Sequence, residues 1–199
     1  MEHLPKSIVN LIDQFDKLPG IGPKTAKKFA FYMLKKNQAE LNIFSQAISE
    51  LKNNITLCQS CLTLADNKLC KICSDKNRDH STLAVVADPL DLLAIEKSGD
   101  YTGIYFVLGG VIDQPNGIGP DQLNIQKLEE KIKANTINEI IIATNPDMEG
   151  ETTALYLSKL LKKYNIKTSR LARGLPLGSD IEYADEITLS SALKNRNEF

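Results

Sequence analysis

The spacing of apolar residues changes along the chain, and the first part has the period of amphipathic helices. Ile8, Leu11, Ile12 and Phe15 fall at positions i, i+3, i+4 and i+7. The same spacing recurs in two later runs. These are Ala26, Phe29, Ala30, Met33 and Leu34, and then Ile43, Phe44, Ala47, Ile48 and Leu51. The sequence therefore predicts three helices in residues 1–54.

Beyond residue 80 the pattern becomes that of short strands alternating with helices. Apolar, β-branched runs predict strands at 82–87, 103–108, 139–144 and 167–172. Helices are predicted between them at 89–98, 121–134 and 150–164. This alternation indicates βαβ units, a mostly parallel sheet and helices on both of its faces.

The composition is that of an ordinary globular protein. Of the 199 residues, 42% are hydrophobic and 25% are charged. The chain has no run of about 18 apolar residues, so no transmembrane helix is predicted. The N-terminus lacks the basic start, apolar core and cleavage site of a secretory signal, which predicts a cytoplasmic protein.

The net charge of −1 argues for no polyanionic partner, but the charges are unevenly distributed. Six lysines and no acids lie between Lys17 and Lys36, whereas residues 174–199 carry five acids against one lysine and one arginine. Such local asymmetry can mark a binding face even in a neutral protein. Two solvated helix surfaces would produce the same asymmetry, so charge alone does not decide.

All four cysteines lie in one C-x₂-C-x₈-C-x₂-C motif, formed by Cys58, Cys61, Cys70 and Cys73. Two close pairs supply the four thiolates that tetrahedral Zn²⁺ requires, and they leave no open position for catalysis. The alternatives are disulfides, which a reducing cytosol disfavours, or unligated buried thiols. The motif therefore predicts a structural zinc site.

A Gly-Ile-Gly turn at 20–22 separates the first two predicted helices, in the stretch LPGIGPKTAKKFAFYML. Pro23 stands where the second helix would begin, and free N–H groups at such a helix start can bind phosphate. Three lysines follow at once. The pattern resembles a helix-hairpin-helix, which grips the nucleic-acid backbone without reading the sequence. An ordinary helical corner with surface lysines is the alternative, but the flanking pattern and the basic residues favour binding.

Three carboxylates, Asp147, Glu149 and Glu151, follow the predicted strand at 139–144. Ligands of parallel α/β sheets collect beyond the carboxyl ends of the strands, and grouped carboxylates usually have a cation or a basic partner that offsets their repulsion. A hard cation such as Mg²⁺ would suit them. Alternatively, the two glutamates only favour the N-terminus of the next helix, and spacing alone does not decide.

In their order along the chain, these motifs resemble the RecR family of bacterial recombination mediator proteins. The resemblance rests on LPGIGPKTA, the four-cysteine motif, VLGG followed by GIGP, NPDMEGETTALY, and RLARGLPLGSDIEYADEITL. It spans nearly the whole chain, and the combined set is far more specific than any single motif.

The resemblance implies an α+β protein built of several modules. They are a helix-hairpin-helix DNA-binding region (1–54), a four-cysteine zinc finger (55–79), a Toprim domain with a mostly parallel sheet (80–173) and a C-terminal segment, likened to a Walker B motif and to an oligomerisation element (174–199). The resemblance also implies a homo-oligomer, usually a tetrameric ring, that encircles or clamps DNA.

The function implied by the resemblance is non-catalytic mediation of recombinational DNA repair. With the partner RecO, and in some bacteria RecF, such proteins help load the RecA recombinase onto DNA coated by single-strand-binding protein. In the family, basic residues after the hairpin glycines bind DNA. The DNA-binding residues expected here are Gly20, Gly22, Lys24, Lys27 and Lys28, of which Lys27 is an addition of this chain.

The acidic stretch resembles a degenerate version of the site found in Toprim enzymes. Topoisomerases and primases use a glutamate that ends the first strand and an Asp-x-Asp-x-Glu block that ends a later one. Here the first position holds Ala87 and the block begins with Asn145. Asp88 is adjacent, but side chains alternate along a strand, so we expect it to point to the other face. Alanine cannot act as a general acid or base.

We therefore expect a catalytically inactive site, formed by Asn145, Asp147, Glu149 and Glu151, that holds at most a weak Mg²⁺. The alternative function is a Mg²⁺-dependent Toprim nuclease or topoisomerase-like enzyme, which would need a replacement glutamate and, for strand transfer, a nucleophilic tyrosine. No tyrosine considered for that role has a recognisable sequence context for a nucleophile; those considered are Tyr101, Tyr105, Tyr156 and Tyr183. A zinc-ribbon interaction protein without nucleic acid would leave the lysine-rich hairpin unexplained.

Overall fold

The computed structural model describes residues 3–134 and 136–196, and the chain forms two compact units. The first unit is Met1–Asn54 and the second is Ile55–Phe199. Within the described residues, every helix is too short or too polar to cross a membrane.

The first unit contains the three predicted helices, α1 (Lys6–Asp16), α2 (Pro23–Met33) and α3 (Gln38–Glu50). Helices α1 and α2 form its core through Ile12, Ala26 and Ala30. At the rim of this contact the rings of Phe15 and Phe29 meet edge to face, with centroids 5.6 Å apart. Small alanines on α2 allow the two helices to approach closely, which explains why the core is compact and contains few residues.

Helix α3 is well formed but buries none of its residues. A capping box sets its start, because the Asn37 side chain accepts from the Glu40 N–H and the Glu40 carboxylate accepts from the Asn37 N–H. The apolar side chains of this helix and its C-cap nevertheless remain exposed. They are Ile43, Phe44, Ile48 and Leu51.

The second unit begins with the cysteine motif and continues with a four-stranded sheet. Two short antiparallel strands, β1 (Thr56–Leu57) and β2 (Leu64–Ala65), and the single turn α4 (Lys71–Ser74) carry the cysteines. The sheet contains β3 (Asp79–Val86), β4 (Gly103–Val107), β5 (Glu139–Ala143) and β6 (Lys167–Arg170). All its strands are parallel, in the order β4-β3-β5-β6. The predicted parallel sheet is confirmed.

Helices cover both faces of this sheet. They are α5 (Pro89–Ser98), α6 (Ile125–Ala134) and α7 (Met148–Leu161), and α8 (Glu186–Lys194) follows after the last strand. On one face, Leu83 and Val85 pack with side chains of α6 and α7. On the other face, Ala84 and Val86 pack with Leu92 of α5. The alternation of side chains along β3 thus builds both cores.

Two predicted helix starts differ from the structure for local reasons. Helix α6 begins at Ile125 and not at 121, because Pro120–Gln122 form a separate 3₁₀ turn. Helix α7 begins at Met148 and not at 150, because the Asp147 side chain caps it. The two strands at the sheet edges, β4 and β6, end before the predicted limits of 108 and 172.

Gly150 lies where α7 passes closest to the backbone that leaves β5. Its N–H donates to Asp147 Oδ1 at 2.7 Å, and its carbonyl accepts from Thr144 Oγ1 at 2.9 Å. A Cβ at this position would lie 2.1 Å from the carbonyl oxygen of Asn145. Only glycine fits without displacing the backbone.

We expect Gly150→Ala to lower the free energy of unfolding by about 1–3 kcal/mol, because the added methyl group overpacks this turn. In an open helix the same change would stabilise by up to about 1 kcal/mol, so the sign of the effect is informative. Gly174→Ala is the matched control, since a Cβ at that position would have no neighbour within 4 Å. Urea unfolding measures both; a Gly150→Ala variant as stable as the parent would contradict the packing described.

Candidate functional site

The glycine turn between α1 and α2 has the conformation that a helix-hairpin-helix requires. Gly20 has φ of 75°, in the left-handed region that favours glycine, and the Ile21 N–H closes the turn on the Leu18 carbonyl at 3.0 Å. Gly22 is the N-cap of α2 and offers no side-chain acceptor, and Pro23 follows at the first helical position. Such a helix start leaves backbone N–H groups for an outside acceptor such as a phosphate.

Three lysines lie in the first two turns of this helix. Lys24, Lys27 and Lys28 are exposed and lie at i, i+3 and i+4, so their side chains share one face of α2. Among the described residues none of them forms an ion pair, whereas Lys36 is paired with Glu40 at 2.7 Å. The structure thus places three unneutralised cations beside the glycine turn. That Gly20, Gly22 and these lysines bind DNA stays a prediction.

The four cysteines form one compact cluster. The Sγ atoms of Cys58, Cys61, Cys70 and Cys73 all lie within 4.8 Å of one another. A tetrahedral ion with metal–sulfur bonds of about 2.3 Å requires sulfur atoms about 3.8 Å apart. The Sγ atoms of Cys61 and Cys70 are 3.6 Å apart, so the donor set fits a closed structural metal site. No open position for a substrate is left.

Hydrogen bonds to the sulfur atoms favour the thiolate form that binds a cation. The Cys70 N–H donates to Cys58 Sγ at 3.3 Å, and the Cys73 N–H donates to Cys70 Sγ at 3.4 Å. A hydrogen bond between Cys61 and Cys73 raises the pKa of Cys61 and lowers the pKa of Cys73 to about 5. Four crowded thiols cannot all ionise without a cation, so metal binding is coupled to proton release.

The cysteine cluster is attached directly to the parallel sheet. The Val107 N–H at the end of β4 donates to the Cys61 carbonyl at 2.8 Å. Lys131 of α6 donates to the Ser60 carbonyl and hydroxyl at 3.0 and 2.8 Å. Leu62 adopts φ of 64°, which is strained for leucine, and its side chain packs against the cores on both faces of the sheet. Sequence reasoning missed these anchors, which no short-range pattern reveals.

The position of the missing Toprim glutamate lies directly after β3. Ala87 is buried there. Asp88 does not replace the lost acid, because it is the N-cap of α5 and accepts from the N–H groups of Leu90 and Asp91 at 2.6 and 3.3 Å. In turn, the Asp91 carboxylate accepts from the Asp88 N–H at 3.2 Å. Burial raises the pKa of Asp91, and the charges of Asp88 and Asp147 add to this effect.

The three acids of the predicted site have separate roles in the structure. Asp147 caps α7 through the Gly150 N–H. Glu151 pairs with two arginines, Arg170 and Arg173, both through its Oε1 atom. Glu149 is partly buried, and its carboxylate makes no hydrogen bond or ion pair with the residues described. Each alternative left open by the sequence describes part of this arrangement. Glu151 has basic partners, and Glu149 and Glu151 both lie in the first turn of α7, where acids favour the helix N-terminus.

These acids do not form a dedicated metal site. Over residues 3–134 and 136–196, the four cysteines are the only group of three or more potential ligands close enough to share an ion. The side chain of the exposed Asn145 is an amide in place of a carboxylate. The backbone carbonyl of Asn145 accepts from Arg170 Nη2 at 3.5 Å. The side chains present thus do not fit the acid set that Mg²⁺ would require.

The hydroxyl groups of two of the tyrosines are hydrogen-bonded within the fold. The Tyr105 hydroxyl donates to Glu96 at 2.7 Å, and the Tyr101 hydroxyl donates to the carbonyls of Thr82 and Ile104 at 3.1 and 3.0 Å. Burial raises the pKa of both phenols, which disfavours the phenolate that strand transfer needs. Neither residue is suited to act as a nucleophile.

A cleft of ≈ 380 Å³ lies beside the ends of β5 and β6. Its polar lining includes Asp91, Asn145, Arg170, Arg173 and Thr188. It therefore brings Asn145 of the degenerate acidic site together with the two arginines and with one residue of α8. Sequence reasoning identified Asn145 and the acids but not the two arginines that neutralise Glu151.

Comparison with known proteins agrees with this arrangement of modules. The family model described as RecR, helix-hairpin-helix matches residues 8–52, that of the Toprim domain matches 81–172, and that described as RecR, C-terminal matches 174–197. The chain is also 47% identical over 196 residues to the recombination protein RecR of Staphylococcus aureus (strain JH9), a match that covers 98% of this chain and 99% of that protein. The chain belongs to the RecR family.

Proposed function

We propose that this chain is a non-catalytic, DNA-binding mediator of recombinational DNA repair in the cytoplasm. It acts with a RecO partner, and in some bacteria with RecF, to help load RecA onto DNA coated by single-strand-binding protein. The observation that carries the proposal is the cluster of Lys24, Lys27 and Lys28 beside the glycine turn, in a chain that is 47% identical to a recombination protein.

The DNA-binding site consists of the turn glycines and the lysines that follow them. Gly20 and Gly22 let the DNA backbone approach the start of α2, and Lys24, Lys27 and Lys28 neutralise its phosphates. These groups read no base edges, so binding is independent of sequence. A single footprint this small gives modest and salt-sensitive affinity.

Assembly into a homo-oligomeric ring, usually a tetramer in this family, would join several footprints around one DNA. Linked sites raise the overall affinity without new contacts. Two observations support self-association: α3 and α8 bury none of their residues, and both carry large exposed apolar side chains. Exposed apolar surface of this extent is typical of protein interfaces.

The metal of the cysteine cluster is Zn²⁺ in this proposal. Four thiolates and a closed tetrahedral site suit zinc, and the hydrogen bond from Val107 to Cys61 links the metal site to the sheet. The module boundaries follow, with DNA binding in 1–54, zinc in 55–79, the Toprim domain in 80–173 and the oligomerisation segment in 174–199. The Toprim domain serves as a scaffold, and its degenerate site would bind Mg²⁺ at most weakly because it lacks the full set of acids.

We expect the double substitution Lys24→Ala with Lys28→Ala to weaken DNA binding without unfolding the protein. If both lysines contact duplex phosphates, the slope of log K against log salt should fall by about 2 for each footprint. A salt titration by fluorescence anisotropy measures this slope. Lys68→Ala with Lys76→Ala is the control, because it removes the same charge from two exposed positions of the second unit. Equal affinity of the two double variants would remove the hairpin from the proposal.

We expect one zinc ion per chain and a large loss of thermal stability when it is removed. Free energy of metal binding is folding free energy in such sites, so a chelator should lower the melting temperature. Elemental analysis identifies the metal, and visible absorbance distinguishes zinc from iron in a four-sulfur site. Cys58→Ser should reproduce the effect of the chelator. A metal-free preparation with an unchanged melting temperature would contradict the proposal.

We expect Asp147→Ala to lower the free energy of unfolding by about 1 kcal/mol and to leave DNA binding intact, because this carboxylate caps α7. Asp147→Asn should be nearly neutral, since asparagine caps equally well. Neither variant should change the products of a Mg²⁺-dependent nicking and relaxation assay, because the parent chain is expected to form none. Product that disappears in Asp147→Ala would establish the enzymatic alternative instead.

A further inference from the structure

The ion-pair cluster of Glu151, Arg170 and Arg173 joins three parts of the second unit. Glu151 lies in the first turn of α7, Arg170 is the last residue of β6, and Arg173 immediately precedes the C-terminal segment at 174–196. Both guanidinium groups contact the same carboxylate oxygen. We call this set the arginine clamp.

The clamp lies in a partly protected environment. The side chains of Arg170 and Arg173 are 27% and 29% exposed, and that of Glu151 is 36% exposed. Pairs at this depth are screened less at moderate salt than pairs on an open surface, but they stay accessible enough for concentrated salt to weaken them. Two cations on one carboxylate also supply the counter-charge that a metal ion would otherwise provide at this end of the sheet.

The C-terminal segment has few other attachments to the rest of the chain. Over the described residues 174–196 no side chain is buried. The Ser191 hydroxyl of α8 donates to the Arg173 carbonyl at 3.3 Å, and Thr188 lines the same cleft as the two arginines. Arg173 is therefore a junction, whose side chain binds the Toprim domain and whose backbone binds α8.

We propose that Glu151 is a positioning residue that, through the arginine clamp, holds the C-terminal segment against the Toprim domain. The glutamate of the degenerate site then has a mechanical role in place of a catalytic one. If the segment mediates the ring described under the proposed function, the clamp also sets the strength of that assembly; this last step rests on the proposed function.

Hydrogen exchange read by mass spectrometry tests the clamp directly. We expect Glu151→Gln and Arg173→Gln to raise the exchange rate across 174–194 by about tenfold, because loss of the clamp increases local opening. Arg173→Lys retains the charge and should restore part of the protection. The matched control is Glu149→Gln, which lies in the same helical turn without a described side-chain partner and should change exchange by less than about twofold.

Salt provides a readout that a merely structural role would not move. In the parent chain, exchange across 174–194 should rise between about 0.1 M and about 1 M NaCl, whereas in Glu151→Gln it should be insensitive to salt. Exchange in Glu151→Gln that equals the parent within about twofold would overturn the clamp. An equal effect of Glu149→Gln would do the same, because it would indicate a general effect of helix charge. Should Glu151→Gln fail to fold, the pair Arg173→Gln and Arg173→Lys decides.

Sedimentation velocity on the same variants separates the clamp from the proposed function. We expect the assembly of Glu151→Gln to dissociate at protein concentrations about tenfold higher than that of Glu149→Gln, because the loosened segment weakens association. Altered exchange with unchanged assembly would retain the clamp and remove the segment from the ring. Absence of DNA binding by the parent chain would overturn the proposed function and leave the exchange result standing.

Discussion

The parallel pairing of β3 with β4 on one side and with β5 on the other is the constraint on which the second unit depends. Parallel strands end at one edge of a sheet, so the segments that leave them meet there. The cysteine cluster is bonded to the end of β4, Ala87 and Asp88 follow β3, the acidic stretch follows β5, and Arg170 ends β6. Register alone thus brings together groups that are distant in the sequence.

At this edge three of the acids have structural partners. Asp88 and Asp147 cap the helices that start there, and Glu151 is neutralised by two arginines. An active Toprim site would need several unpaired carboxylates that share a cation, which makes capping and ion pairing direct competitors of catalysis. The Toprim fold can therefore be kept without catalysis. The acids that would bind metal in an enzyme here stabilise the turns at the ends of the strands.

Sequence patterns predicted the elements well and the partnerships poorly. The three N-terminal helices, the parallel sheet and the four-cysteine cluster follow from spacings of a few residues, so the sequence displays them directly. The partners of Glu151 are about twenty residues away in the chain, and no local period announces them. The strained φ of Leu62 is likewise invisible, because the packing that offsets it comes from both faces of a sheet. The spacing of apolar residues predicts the start of α7 two residues late, because it does not reveal that Asp147 caps the helix.

The first unit has a small core and an uncovered apolar helix. The buried residues of its core are Ile12, Ala26 and Ala30, with five partly buried apolar side chains packed around them, and α3 contributes no buried residue. A unit of this size buries a smaller share of its apolar surface than a larger domain does, so its stability is marginal. Burial of the exposed apolar side chains of α3 in an oligomer would add to that stability. In the proposed ring, assembly would then stabilise the DNA-binding unit, and lysines that are weak as single contacts would be presented together.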